Sequence, residues 1–167
     1  MTQVHREQHA EGERTPFDEI ERSLMQISWL AQRQFMQLLD DERFRLTVPQ
    51  FYTVLHLEQL AEACKMSDLA EATHQSAASL TGVVDRLDEK QLIERVRDAK
   101  DRRQVMVAVT TYGRELVAEI KQARREQMQM ALAHLAETEI EALMLLLDRV
   151  LSGMARTLER AEGGRLA

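Results

Sequence analysis

From Thr15 onward, stretches whose apolar residues recur every three or four positions give way once, between Lys90 and Thr110, to stretches where they recur every second position. Thr15 followed by Pro16, with Asp18 and Glu19 in the first turn, opens a helix that the pattern carries to about Asp40. Its apolar residues form two stripes, Phe17, Ile20, Leu24, Ile27, Ala31 and Phe35 beside Met25, Trp29, Met36 and Leu39. A helix so broadly apolar must be covered on more than one face. Thr47-Val48-Pro49-Gln50 is a capping box that starts a second helix, through Phe51, Val54, Leu55, Leu57 and Leu60 to about Ala63. Ser67 is placed to cap a short helix containing Asp68, Leu69, Ala70 and Glu71, and Thr73-His74-Gln75 is a polar break. A longer helix is then expected from Ser76 to Lys90. Leu80, Val83, Val84 and Leu87 share its inner face, while Gln75, Ser76, Ser79, Gly82 and Arg86 lie opposite.

The alternating segments, Leu92 to Arg97 and Gln104 to Val109, are rich in β-branched residues and predict two strands joined by the charged tip Asp98-Ala99-Lys100-Asp101-Arg102. A long helix with Leu116, Val117, Ile120, Ala123, Met130 and Leu135 follows. Thr138 to Glu141 reads as another capping box, opening a last helix with Leu143, Leu147, Leu151, Met154 and Leu158 that Gly163 and Gly164 end. The expected fold is mainly α with a small β-hairpin wing.

Composition refines this picture without redirecting it. The net charge of -6 is unusual for a nucleic-acid binder, but between Lys65 and Arg103 eight basic residues are matched by eight acidic ones, so the acid resides toward the ends. Residues 1–14 are polar and aperiodic and are expected to be a disordered tail. They carry no apolar signal core, and no later segment is apolar enough to span a membrane, so a cytoplasmic location is expected. A single cysteine, Cys64, allows no internal disulfide and fits a reducing compartment.

A short helix, a turn, a longer helix with a polar outer face and a basic-tipped hairpin is the order of a winged helix-turn-helix, which places the longer helix in the major groove. Specific residues extend the likeness: Leu46-Thr47-Val48-Pro49-Gln50-Phe51, Ser67-Asp68-Leu69-Ala70, Leu80-Thr81 with Val83-Val84-Asp85-Arg86-Leu87, Leu92-Ile93-Glu94-Arg95, Asp101-Arg102-Arg103, and Thr110 with Gly113-Arg114-Glu115-Leu116. This pattern, over most of Leu46 to Ile120, resembles the MarR family of bacterial transcription factors.

The resemblance implies a homodimer that reads a pseudo-palindromic double-stranded DNA operator, in which a winged helix-turn-helix head is joined to a helical dimerisation layer. The corresponding division is 15–45 as a dimerisation helix, 46–110 as the DNA-binding domain, 111–160 as dimerisation helices and 161–167 as a flexible C-terminus. The long apolar rows of the last helices call for such a layer in their own right, unless a monomeric bundle uses them internally. On the recognition helix, Gln75, Ser76, Ala77 and Ser79 are positioned for base edges, and Thr81 and Arg86 for phosphates or for buttressing. The resemblance matches Arg103 to the wing arginine that enters the minor groove and Asp85 to the carboxylate that pairs with it. Arg95, Arg97, Lys100 and Arg102 add a positive edge. Three positions depart from the family pattern: Gly82 stands where an Arg is frequent, Gln91 where the turn before the strand has Gly, and Ala99 where the wing has Pro.

The resemblance further implies a small anionic or aromatic ligand that loosens DNA binding, with repression as the expected mode. Trp29, Asp68, Arg102 and Arg114 echo a urate-binding subgroup, although a core Trp and a surface Arg account for the same residues. A thiol switch at Cys64 is the competing trigger, but Cys64 ends the second helix and has only Lys65 beside it to favour thiolate, so an inert, partly buried thiol is expected. No phosphate-cradling loop, nucleophile elbow or metal-ligand spacing is present, so neither an enzyme, a cofactor nor a metal is expected. A helical protein-interaction module that does not bind DNA is the remaining alternative.

Overall fold

The computed structural model describes residues 15–60, 62–97 and 105–163, without the side chains of the last two. The expected tail at 1–14 and the wing-tip residues Lys100, Arg102 and Arg103 lie outside them. In chain order the elements are α1 (Pro16–Asp40), α2 (Val48–Gln59), β1 (Cys64–Lys65), α3 (Met66–Ala72), α4 (Ala77–Glu89), β2 (Ile93–Arg97), β3 (Val105–Val109), α5 (Thr111–Leu132) and α6 (Glu137–Gly163). They fall into two compact units that divide within α5, one running to Ala123 and the other from Arg124.

Helix α1 starts as its sequence dictates. Thr15 Oγ1 accepts the Asp18 N–H, and the Asp18 carboxylate accepts the Thr15 N–H at 2.8 Å, a closed capping box ahead of Pro16. The Thr15 hydroxyl also donates to the Asp18 carboxylate at 2.8 Å, and this bond, together with that from the Thr15 N–H, holds the Asp18 carboxyl below its usual range. Helix α2 repeats the device, with Thr47 and Gln50 capping each other and Pro49 in the first turn.

The core of the first unit gathers the inward faces of α2, α3 and α4 under the sheet and against the start of α5. Phe51, Val54, Leu57, Leu69, Leu80, Val84, Leu87, Ile93, Val107, Val117 and Ile120 are all at most 1% exposed. The end of α1 joins this core through Phe35, whose ring meets Phe51 edge-on with centroids 5.1 Å apart. Beyond Phe35, Leu38 and Leu39, no residue of α1 is buried: Phe17, Ile20, Ile27 and Trp29 are all exposed. In α6 no residue through Ala161 is buried at all.

The sheet has three antiparallel strands in the order β1-β3-β2, with Arg95 opposite Val107 and Cys64 opposite Val107 from the other side. Strand β1 was not expected, since two residues are too few to show alternation. It ends α2 at Gln59, short of the expected Ala63, because the chain must leave the helix to reach the sheet edge. It also places the start of α3 at Met66, so Ser67 lies inside the helix and its hydroxyl donates to Asp68 at 2.8 Å instead of capping. Likewise α6 begins at Glu137. Thr138 is helical, and it is Glu139 whose carboxylate accepts the Ala136 N–H at 2.8 Å.

The turn between α4 and β2 puts Gln91 in the left-handed region with φ 59°, the geometry that accounts for the glycine of the family pattern. Gln91 is held there because its carbonyl accepts the Thr110 hydroxyl at 2.7 Å. The same hydroxyl accepts the Gly113 N–H at 3.0 Å, so Thr110 caps α5 and ties it to the base of the hairpin.

Candidate nucleic-acid interface

Helix α4 shows one apolar and one polar side. Leu80, Val83, Val84 and Leu87 are buried, while Ser76, Ala77, Ser79, Thr81, Asp85 and Arg86 are exposed. Ser76 is the N-cap, its hydroxyl accepting the Ser79 N–H at 3.2 Å, and the remaining first-turn amides point outward at the positive end of the helix dipole. The Thr81 hydroxyl donates to the Ala77 carbonyl at 2.8 Å, leaving its methyl and lone pairs on the outer face. Short polar side chains and a half-positive helix end are what a helix needs to approach base edges and phosphates closely.

Gln75 is placed differently from the other expected base readers. It is half-buried in the turn before α4, and its Nε2 donates to Thr53 Oγ1 of α2 at 3.0 Å. Asp85 also has a different partner in view: Arg95 on β2 donates to its carboxylate, and Asp88 lies 4.0 Å from Arg95 Nε. Arg103, the partner implied by the resemblance, is outside the described residues. The charge of Arg95 therefore faces two recognition-helix carboxylates and links the hairpin base to α4. Exposed pairs of this kind contribute ~0–1 kcal/mol each, so this link orients more than it stabilises. Arg97, at the end of β2, is exposed. Neither the Thr53 contact nor the Asp85–Arg95 pair has a sequence signal, because both join residues on different elements.

The expected ligand residues lie on three elements, and no hydrogen bond or ion pair joins them among the described residues. Trp29 is 56% exposed on α1, with the Arg33 guanidinium 5.3 Å from its ring centroid. Asp68 is exposed on α3 and Arg114 on α5. Cys64 is buried in β1; burial pushes its thiol up from its ordinary range and the Asp68 charge pushes it further, both against the thiolate that a redox switch requires. Among the described residues no group of His, Cys, Asp and Glu is arranged to hold a metal ion, and no helix is long and apolar enough to cross a membrane.

Gly82 lies on the outer side of α4, and a Cβ built there meets nothing within 4 Å. Gly82→Arg is therefore expected to fold, to gain ~1 kcal/mol of helix propensity and to add a phosphate contact. The slope of log affinity for DNA against log salt should steepen by about 0.9 per added contact, or about 1.8 for a dimer bound through both heads. An unchanged slope in a fluorescence titration would place Gly82 away from the DNA.

A capped three-helix head with an outward polar helix, closed by an antiparallel hairpin, is a winged helix-turn-helix. The model of the MarR family matches residues 46–104. The transcriptional repressor NicR of Pseudomonas putida is 28% identical over 140 residues, which cover 82% of this chain and 87% of NicR. The transcriptional repressor MdtR of Bacillus subtilis is 27% identical over 122 residues, 73% of this chain and 77% of MdtR. Among solved structures, Staphylococcus aureus MepR, a transcription regulator of the multidrug efflux pump MepA, superposes with a TM-score of 0.73 at 25% identity, covering 80% of this chain and 97% of MepR. A MepR variant bound to an oligodeoxyribonucleotide superposes with a TM-score of 0.66 at 25% identity, covering 81% of this chain and 97% of that one. Over residues 46–104 the chain matches the MarR family of transcriptional regulators, and its fold is the winged helix-turn-helix fold of MepR.

Proposed function

We propose that the protein is a homodimeric repressor that binds a pseudo-palindromic operator through α4 and the wing and is released by a small anionic or aromatic ligand. The observation that carries the DNA-reading part is the outer face of α4, where a capped helix start presents Ser76, Ala77 and Ser79 with no side chain large enough to keep a duplex away. The repressors NicR and MdtR support the sign of regulation. The exposed apolar rows of α1 and α6 support a dimerisation layer built from residues 15–45 and 111–160, with 46–110 as the head. Trp29, Asp68 and Arg114 are the residues proposed for the ligand. Arg97, Lys100, Arg102 and Arg103 are proposed to follow the DNA backbone and minor groove, with Thr81 and Arg86 beside them.

Arg103→Ala tests the wing directly. Loss of a charge-assisted hydrogen bond, worth ~1.5–3 kcal/mol, should weaken operator binding roughly tenfold or more per head in a gel-shift titration, while the melting temperature stays at the wild-type value. Unchanged affinity would remove the wing from the interface.

A further inference from the structure

We propose that Thr53 and Gln75 are a positioning pair that sets where recognition helix α4 begins, and thereby which side chains it offers to DNA. The proposal rests on α4 being the recognition helix. Thr53 is fully buried on α2, and its hydroxyl donates to the Pro49 carbonyl at 2.8 Å, so Oγ1 can only accept from Gln75. Gln75 Nε2 supplies that bond at 3.0 Å, across 22 positions of sequence.

This orientation leaves Gln75 Oε1 buried with no hydrogen-bond partner among the described residues. Gln75 is one of the residues lining a groove of about 500 Å³ between α2 and the α3–α4 turn, with Tyr52, His56 and His74. An outward rotamer would hydrate both amide atoms. The inward one keeps the bond to Thr53.

What the bond controls is the turn. His74 sits in the left-handed region with φ 52°, its N–H bonded to the Glu71 carbonyl at 3.1 Å. The Gln75 N–H reaches the Ala70 carbonyl at 2.9 Å, and the next residue is the N-cap Ser76. A turn strained at one residue and tied to α2 at the next has one position for the first turn of α4. Gln75 thus acts through the helix and not by touching a base.

The test uses the full chain, a duplex from upstream of its own coding sequence and a scrambled duplex of equal length, read by fluorescence anisotropy alongside thermal melting. Thr53→Val, at a site with no access to DNA, should lower the preference for the upstream duplex about fivefold, the scale of one lost hydrogen bond. The salt slope should stay unchanged, because no phosphate contact is lost. Thr53→Ser should restore the preference, and Thr53→Val combined with Gln75→Met should be no worse than either alone. Single-base-pair substitutions should show discrimination relaxed across several adjacent pairs. Should Thr53→Val lose cooperative melting, Gln75→Glu, which cannot donate to Thr53, is expected to give the same loss. Discrimination lost at one base pair in Gln75→Met but kept in Thr53→Val would make Gln75 a direct reader and overturn the proposal, as would wild-type preference in all variants. A wild-type chain that binds both duplexes alike would instead overturn the reading of α4 itself.

Discussion

Gly113→Ala is expected to cost at least ~3 kcal/mol of stability, the upper end of ordinary overpacking, and to be the most damaging single methyl the head can receive. A Cβ at this position would lie 2.1 Å from the Leu92 carbonyl oxygen and 2.9 Å from Val109 Cγ2. Neither neighbour can give way cheaply. The Leu92 oxygen already accepts the Thr110 N–H at 3.1 Å, and Val109 is buried at the end of β3, paired with Ile93. The Gly113 N–H is itself held by the Thr110 hydroxyl. The first turn of α5 therefore crosses the hairpin base at backbone contact, and only glycine fits. The urea midpoint of the variant should fall far below that of the wild type; a shift worth less than ~1 kcal/mol would mean the helix start can slide.

A larger functional loss is expected from charging α6. Leu147, Leu151, Met154 and Leu158 recur at helical spacing on one face, and each is between 42% and 64% exposed in the single chain. Exposed rows of this length mark an interaction surface, which the proposed function gives to a second copy of the chain. Leu151→Glu together with Leu158→Glu should leave helix content unchanged, since neither side chain is buried, but convert a dimer to a monomer in sedimentation. Operator affinity should then fall by about 100-fold or more, because the second head no longer binds at high effective concentration. An unaltered sedimentation coefficient in the double variant would show that this face of α6 is not the dimer surface.

Those predictions draw on features that differ in how plainly they can be read from sequence. The caps of α1 and α2 are local, each complete within four residues, and Thr15 and Thr47 do what their residue types suggest. The face of α4 and the change to strand period before β2 are equally local. Ser67 and Thr138 misled because a hydroxyl residue followed by a carboxylate also occurs within the first turn of a helix, and the true starts were set by the sheet pairing of Cys64–Lys65 and by Glu139 reaching back to Ala136. Strand β1 is too short to announce itself. Gln75 shows the deepest gap: a glutamine at the head of a recognition helix reads as a base contact, and only the fold reveals Thr53 within reach. The partner of Asp85 is another such case, since Arg95 is supplied by the strand and not by a motif. Gly113 was visible as part of a family pattern, but the reason for it, a carbonyl in the way, is tertiary.

The claim that α4 and the wing form a DNA-reading head is tested most directly by fluorescence anisotropy of the full chain on a duplex from upstream of its own coding sequence, titrated at several salt concentrations. A reading head gives tighter binding to that duplex than to a scrambled one, with log affinity falling steeply and linearly against log salt as counterions are released. Equal binding to both duplexes, or an affinity indifferent to salt, would contradict it.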